Sequence, residues 1–266
     1  MLLNDLQALW RSWRIYHSNP EHDRRMDDLY RLFVKPGDLV FDVGAHIGHR
    51  TASFLRLGAC VVAVEPQPAA AAFLRALYGW RRRAKIVRAA CGRSEGRIQL
   101  QVNSANPIVS TASPAFISAA AGSLGWEGQK WDRTIESPLT SLDALIRDHG
   151  PPSFVKIDVQ GFESDVLVGL TQPPPSLSFE FTTIQRDVAA QCVHQCVALG
   201  LKSFQAIIGE THIFAFDEPV TEDALLAWLA ALPPEANSGD IYAMSEDVST
   251  RLSPSSQRPA SIALVS

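Results

Sequence analysis

Residues 39–65 read LVFDVGAHIGHRTASFLRLGACVVAVE, and the fold is decided within this stretch. It opens on an apolar run, Leu39-Val40-Phe41, that ends at Asp42. A tight segment, Gly44-Ala45-His46-Ile47-Gly48, leads into a helical pattern over 50–57, which Gly58 closes. A second apolar run over 60–64 ends at Glu65. Apolar runs of this length, separated by about ten residues of helical pattern, mark parallel strands buried on both faces. The spacing predicts strand, glycine turn, helix and strand, with a carboxylate at each strand tip. That is the opening of an α/β fold with a doubly wound, mostly parallel sheet.

The residue types narrow the ligand. Gly44 and Gly48 carry no Cβ, so backbone can approach a bound group closely there. Glu65 lies about 20 positions past Gly44, where the second strand tip offers a carboxylate to a ribose diol. A dinucleotide fold wants G-x-G-x-x-G, so that a pyrophosphate can rest on the helix N-terminus. This chain has D-x-G-x-x-x-G and puts Asp42 and His46 where phosphates would sit. A carboxylate there suits a cationic amino-acid tail, and S-adenosylmethionine supplies both that tail and a ribose. The expected cofactor contacts are Asp42, Gly44, Ala45, His46, Gly48, Glu65 and Pro66. Ala90 joins them at the tip of a third strand, where Ala89, Ala90 and Cys91 leave room for a flat adenine ring. Two other classes compete. A dinucleotide-dependent oxidoreductase is opposed by the missing third glycine, and a nucleoside-cofactor-binding module without methyl transfer would keep the fold and lose the chemistry.

At 266 residues the chain can bury a full core. A net charge of −4 argues against nucleic acid as the main partner. No apolar run reaches the 18 or so residues that span a bilayer, and the N-terminal MLLNDLQALWRSW is broken by Asp5, unlike a signal peptide. Cys60, Cys91, Cys192 and Cys196 lack metal-ligand spacing, so no metal site is expected and the economical reading is a reduced, cytoplasmic protein.

Three regions are expected: an N-terminal helical extension over 1–35, a cofactor-binding domain over 36–245 and a flexible tail over 246–266. In the first, Leu2, Leu3, Leu6, Leu9, Trp10 and Trp13 form an apolar stripe, read as a cap on the domain or a homo-oligomer contact. Within the second, strands are expected over 85–90, 154–158, 177–181, 202–208 and 212–216, with a hairpin partner over 97–102. Helices are expected over 69–78, 142–148, 163–170, 187–199 and 221–232, the second opened by a capping box at Thr140-Ser141-Leu142-Asp143. Residues 103–137 dissolve into Ser, Ala, Gly and Pro around Trp126 and Trp131. They read as a long loop, either an acceptor-binding lid or a segment that the two tryptophans pin to the core.

Taken in order, four words resemble the FkbM family of S-adenosylmethionine-dependent methyltransferases. They are Pro36-Gly37-Asp38 with Val40-Phe41-Asp42-Val43-Gly44-Ala45-His46-Ile47-Gly48, then Val64-Glu65-Pro66, then Thr140-Ser141-Leu142-Asp143, then Lys156-Ile157-Asp158-Val159-Gln160-Gly161-Phe162-Glu163. The glycine turn is shared by many nucleoside-binding folds, whereas the KIDVxGxE word at this distance is far more specific. The chain departs at Gln160, where the family usually has Glu, and at His46, where it usually has Asn. The resemblance implies a seven-stranded Rossmann-like class I methyltransferase with N-terminal helices. It also implies O-methylation of a hydroxyl on a sugar, polysaccharide unit or polyketide.

Methyl transfer from a sulfonium is an in-line displacement that gains most from positioning. The sulfonium charge disappears along the way, so a carboxylate pressed on sulfur would favour the ground state. Asp158 is therefore assigned to the acceptor hydroxyl or the cofactor's amino group. Asp158 or Glu180, both at strand tips, would take the acceptor proton, with Lys156 on the same strand face tuning one of them.

Overall fold

Residues 19–252 are described in the computed structural model. The strands are β1 (Leu39–Val43), β2 (Cys60–Val64), β3 (Ala84–Val87), β4 (Ala90–Cys91), β5 (Gly96–Val102), β6 (Arg133–Thr140), β7 (Phe154–Ile157), β8 (Ser176–Thr182), β9 (Ser203–Ile208) and β10 (Ser238–Met244). The helices are α1 (Pro20–Tyr30), α2 (His49–Arg56), α3 (Pro68–Tyr78), α4 (Pro114–Ala120), α5 (Leu142–His149), α6 (Glu163–Val168), α7 (Arg186–Ala198), α8 (Glu222–Ala231) and α9 (Glu246–Leu252).

Seven strands form the main sheet in the order β3-β2-β1-β7-β8-β10-β9. β1 pairs in parallel with β2 and with β7, in registers that set Val40 beside Val61 and Phe154. Only β10 runs against its neighbours, β8 and β9. The sheet is thus doubly wound and mostly parallel. The two-residue period of the strands divides the core. Phe41, Val43, Val155 and Phe179 pack with α5, α6, α7 and α8 on one face. Val40, Val61, Phe154 and Tyr242 meet α1 and α2 on the other. There Tyr30 lies 4.5 Å from Phe54 and Phe33 lies 5.2 Å from Tyr242, ring centre to ring centre. α1 is opened by Asn19, whose side chain accepts from the Glu21 and His22 amides, and its Met26 and Tyr30 are part of this core. No helix of the described residues is long and apolar enough to cross a membrane.

A second sheet, β4-β6-β5, departs from the sequence reading. The strand expected over 85–90 splits, with β3 staying in the main sheet while Ala90 and Cys91 pair with β6. The hairpin partner of β5 is β6, which sets Gly96 opposite Leu139. Residues 103–137 are therefore no structureless loop. They hold a 3-10 turn at Pro107–Val109, the helix α4 capped by the Ser113 side chain, and the start of β6. The helix expected at 142 has Ser141 as its N-cap, accepting from the Ala144 amide. Asp143 instead accepts from the Thr171 amide, so the reciprocal half of the capping box is absent. Residues 212–216 form no strand, since His212 takes a φ of 55° that breaks extended backbone. Residues 246–252, assigned to a flexible tail, form α9 with Val248 buried. The apolar stripe of residues 2–13 and the remainder of the tail lie outside the described residues.

One polar tie crosses this sheet. Lys156 on β7 reaches past β8 to donate to Asp240 Oδ1 on β10 at 2.6 Å, and both side chains are buried. Asp240→Ala should leave that ammonium poorly compensated and destabilise the fold by roughly 3–5 kcal/mol. Replacing both partners, as Lys156→Met with Asp240→Leu, should recover most of the loss, as read by urea denaturation midpoints.

Candidate functional site

The carboxyl ends of β1, β2, β7 and β8 open onto one crevice edge, where α/β sheets bind ligands. After β1 the chain turns sharply, with the Gly44 and Ala45 amides both donating to Val64 O at 2.9 and 3.0 Å. The His46 amide donates to Glu65 Oε2 at 2.9 Å, and the Gln67 amide donates to Glu65 Oε1 at 2.7 Å. Glu65 is only 2% exposed, and its burial pushes the carboxyl up to about 7 against the pull of those two amides. Each of its oxygens keeps a further lone pair for a ribose hydroxyl.

The turn after β7 repeats this device. The Val159 amide donates to Glu163 Oε1 at 3.0 Å, and burial pushes Glu163 up to about 7. Gln160 and Gly161 take positive φ values of 55° and 81°. Gln160 O accepts from Thr111 Oγ1 at 2.6 Å, which ties the turn to the segment after β5. Its side-chain amide donates to Asp158 Oδ1 at 3.0 Å and to Glu180 Oε2 at 2.5 Å. A carboxylate at position 160 would repel both acids, whereas the amide bridges them. Burial, and then the charge of Asp158, hold Glu180 well above the usual carboxylate range.

Two clefts flank these turns. The first, about 660 Å³, is lined by Glu65, Pro66, Ala90, Cys91, Leu100 and Phe162. The second, about 1260 Å³, is lined by Arg50, Asn106, Trp126, Gln129, Glu180 and Glu210. Gly44, His46, Ile108, Asp158 and Gln160 border both. The expected residues Gly44, His46, Glu65, Pro66, Ala90 and Asp158 thus come together around the first cleft. Asp42 and Ala45 border only the second. Asp42 is buried, accepts from Thr51 Oγ1 at 2.5 Å and is pushed up to about 6 by burial.

Two glycines also answer to packing. A Cβ on Gly44 would lie 1.8 Å from the Asp158 carbonyl oxygen, so contact between the two turns forbids it before any ligand does. Gly48 borders neither cleft; its φ is 82°, and a Cβ there would meet Leu74 and Tyr78 at 2.6 and 2.7 Å. Lys156 is 0% exposed and also borders neither cleft. Burial alone would lower its pKa, but Asp240 and then Asp158, whose Oδ2 is 3.6 Å away, outweigh that and keep it charged. Each tryptophan sets its ring edge-on to Phe116, which pins the segment as one of the two readings expected, and Trp126 also borders the second cleft. Sequence reasoning missed the Gln160 bridge and the turn-holding role of Glu163. It also missed the Arg50–Glu210 pair, whose partners are far apart in the chain.

Residues 42–231 match the family model of the methyltransferase FkbM domain. No curated protein matches. Similar solved structures include an O-methyltransferase from Bacillus cereus in complex with SAH, 11% identical, with a TM-score of 0.46 over 90% of this chain and 91% of that one. A TehB-like SAM-dependent methyltransferase from Corynebacterium glutamicum is 9% identical, with a TM-score of 0.46 over 89% and 94%. A precorrin-6y C5,15-methyltransferase from Geobacter metallireducens is 13% identical, with a TM-score of 0.43 over 84% and 87%. Likenesses this remote carry nothing about an acceptor.

The raised Glu65 gives ligand binding a pH signature. An ionised carboxylate is the stronger acceptor for a ligand's hydroxyls, and with a pKa of about 7 Glu65 protonates as pH falls below neutrality. S-adenosylhomocysteine affinity should therefore weaken roughly tenfold from about pH 8 to about pH 6. Glu65→Gln should bind roughly ten- to a hundredfold more weakly at the higher pH and lose that dependence. Calorimetry at the two pH values checks both.

Proposed function

The chain belongs to the FkbM family of methyltransferases, and on that premise we propose that it is an S-adenosylmethionine-dependent O-methyltransferase acting on a hydroxyl of a sugar, a polysaccharide unit or a polyketide-like small molecule. The first cleft fits the cofactor. Glu65 has lone pairs for the ribose, and Ala90, Cys91, Leu100 and Phe162 offer an apolar slot for adenine. Asp158 would meet the amino-acid ammonium or the acceptor. When bound, the cofactor supplies an electrophilic methyl group on a cationic sulfur.

What carries the O-methyl reading is the second cleft and the place where it joins the first. His46 Nε2, Trp126 Nε1 and Asn237 Oδ1 are buried without a hydrogen-bond partner among the described residues, and all three residues line that cleft. Unpaired polar atoms beside an aromatic face are chemistry that a polyhydroxylated acceptor satisfies. At the junction, Asp158 holds a third-exposed carboxylate between the Gln160 amide and the Lys156 ammonium. We assign it the acceptor proton. Glu180, held high, stays protonated more readily and serves as a hydrogen-bonding partner of the acceptor. His46 is pulled down to about 4 by burial, so its ring is neutral at neutral pH.

Methyl-labelled S-adenosylmethionine offered with a panel of saccharides and polyketide alcohols should yield base-stable methyl ethers. Label in base-labile esters or on nitrogen would overturn the acceptor assignment. Asp158→Asn should lower kcat by about 10² to 10⁴ while cofactor affinity moves little, because the amide still hydrogen-bonds. Loss of affinity with an intact single-turnover rate at saturation would make Asp158 a cofactor ligand instead.

A further inference from the structure

Three elements converge at the rim of the second cleft, apart from the cofactor pocket. α1 brings His22 and Asp23, the start of α2 brings His49, and the loop between β9 and α8 brings Glu210 and His212. His22 Nε2 and His212 Nε2 stand 3.2 Å apart. Glu210 Oε2 is 3.9 Å from the first and 3.8 Å from the second. The point equidistant from these three atoms lies roughly 2.1 Å from each, the bond length of zinc to imidazole nitrogen or carboxylate oxygen. The two rings cross at 57° with centres 4.7 Å apart, so their nitrogen edges meet and not their faces.

We propose that His22, Glu210 and His212 form a binding site for a divalent cation of the zinc class. Two imidazoles and one carboxylate suit zinc, cobalt or nickel, whereas magnesium and calcium favour all-oxygen sets. The surroundings hold the donors in place. The His49 ring stacks on His22 with centres 5.2 Å apart and planes within 9°, and His49 Nε2 is 3.2 Å from Asp23 Oδ1. Arg50 donates to both Glu210 oxygens at 2.8 Å, which fixes the carboxylate while leaving a lone pair on Oε2. The His212 side chain is 1% exposed, on a backbone with a positive φ of 55°. A cation here clips α1 to a loop some 190 residues away. It also sits beside the acceptor cleft, because Glu210 and His49 both line that cleft.

The test uses the untagged full chain, stripped with a chelator and titrated with cobalt(II) and then zinc(II). One equivalent of cobalt should give the visible absorption of a low-coordinate nitrogen–oxygen centre, without thiolate charge-transfer bands, and zinc should displace it. His22→Ala and His212→Ala should each abolish the band while S-adenosylhomocysteine binding persists, which reports an intact fold. Glu210→Gln, nearly isosteric, should weaken zinc by roughly tenfold or more. No stoichiometric binding, thiolate bands, or a band that survives in folded forms of these variants would overturn the proposal.

Discussion

The structure turns on a buried carboxylate that accepts from the backbone. Glu65 sits at the tip of β2 with one oxygen on the His46 amide and the other on the Gln67 amide. The bond to His46 holds the glycine turn after β1 in place; the bond to Gln67 shapes the entry to α3. Hydrogen bonds to a charged group contribute about 1.5–3 kcal/mol each, which offsets much of the cost of burying the charge. Glu163 repeats the arrangement after β7. The two turns then touch, because Gly44 packs against the Asp158 carbonyl with no room for a Cβ. The turns that carry Glu65 and the proposed base Asp158 are thereby fixed relative to each other by backbone contact.

The crevice edge carries more acid than base. Asp42, Asp158, Glu163, Glu180 and Asp240 all feel the charge of Lys156, and Glu65 stands beside Asp42. Burial raises five of these carboxyls and so favours their neutral forms. A ligand bearing a sulfonium and an ammonium would favour their ionised forms. Gln160 limits the surplus by placing an amide donor between Asp158 and Glu180.

The main sheet was legible because its strands are continuous apolar runs with acids at their tips, and β1, β2 and β7 stand where those runs predict. The second sheet was not. β6 carries polar residues on both faces and is interrupted by Pro138, so no alternation marks it, and its partner β5 lies across a long insertion. The placement of Glu65, Ala90 and Asp158 at the first cleft was legible from strand-tip spacing. The packing constraints on Gly44 and Gly48 were not, since both come from neighbours that only the folded chain supplies. The cluster of His22, Glu210 and His212 has no local spacing at all.

The central claim is that Glu65 anchors the ribose of S-adenosylmethionine in the crevice between the two turns. A crystal structure of the complex with S-adenosylhomocysteine tests it most directly. Both ribose hydroxyls should lie within hydrogen-bond distance of the Glu65 carboxylate, with adenine among Cys91, Leu100 and Phe162. A nucleoside bound in the cleft beside Trp126, with Glu65 touching only the His46 and Gln67 amides, would contradict the account.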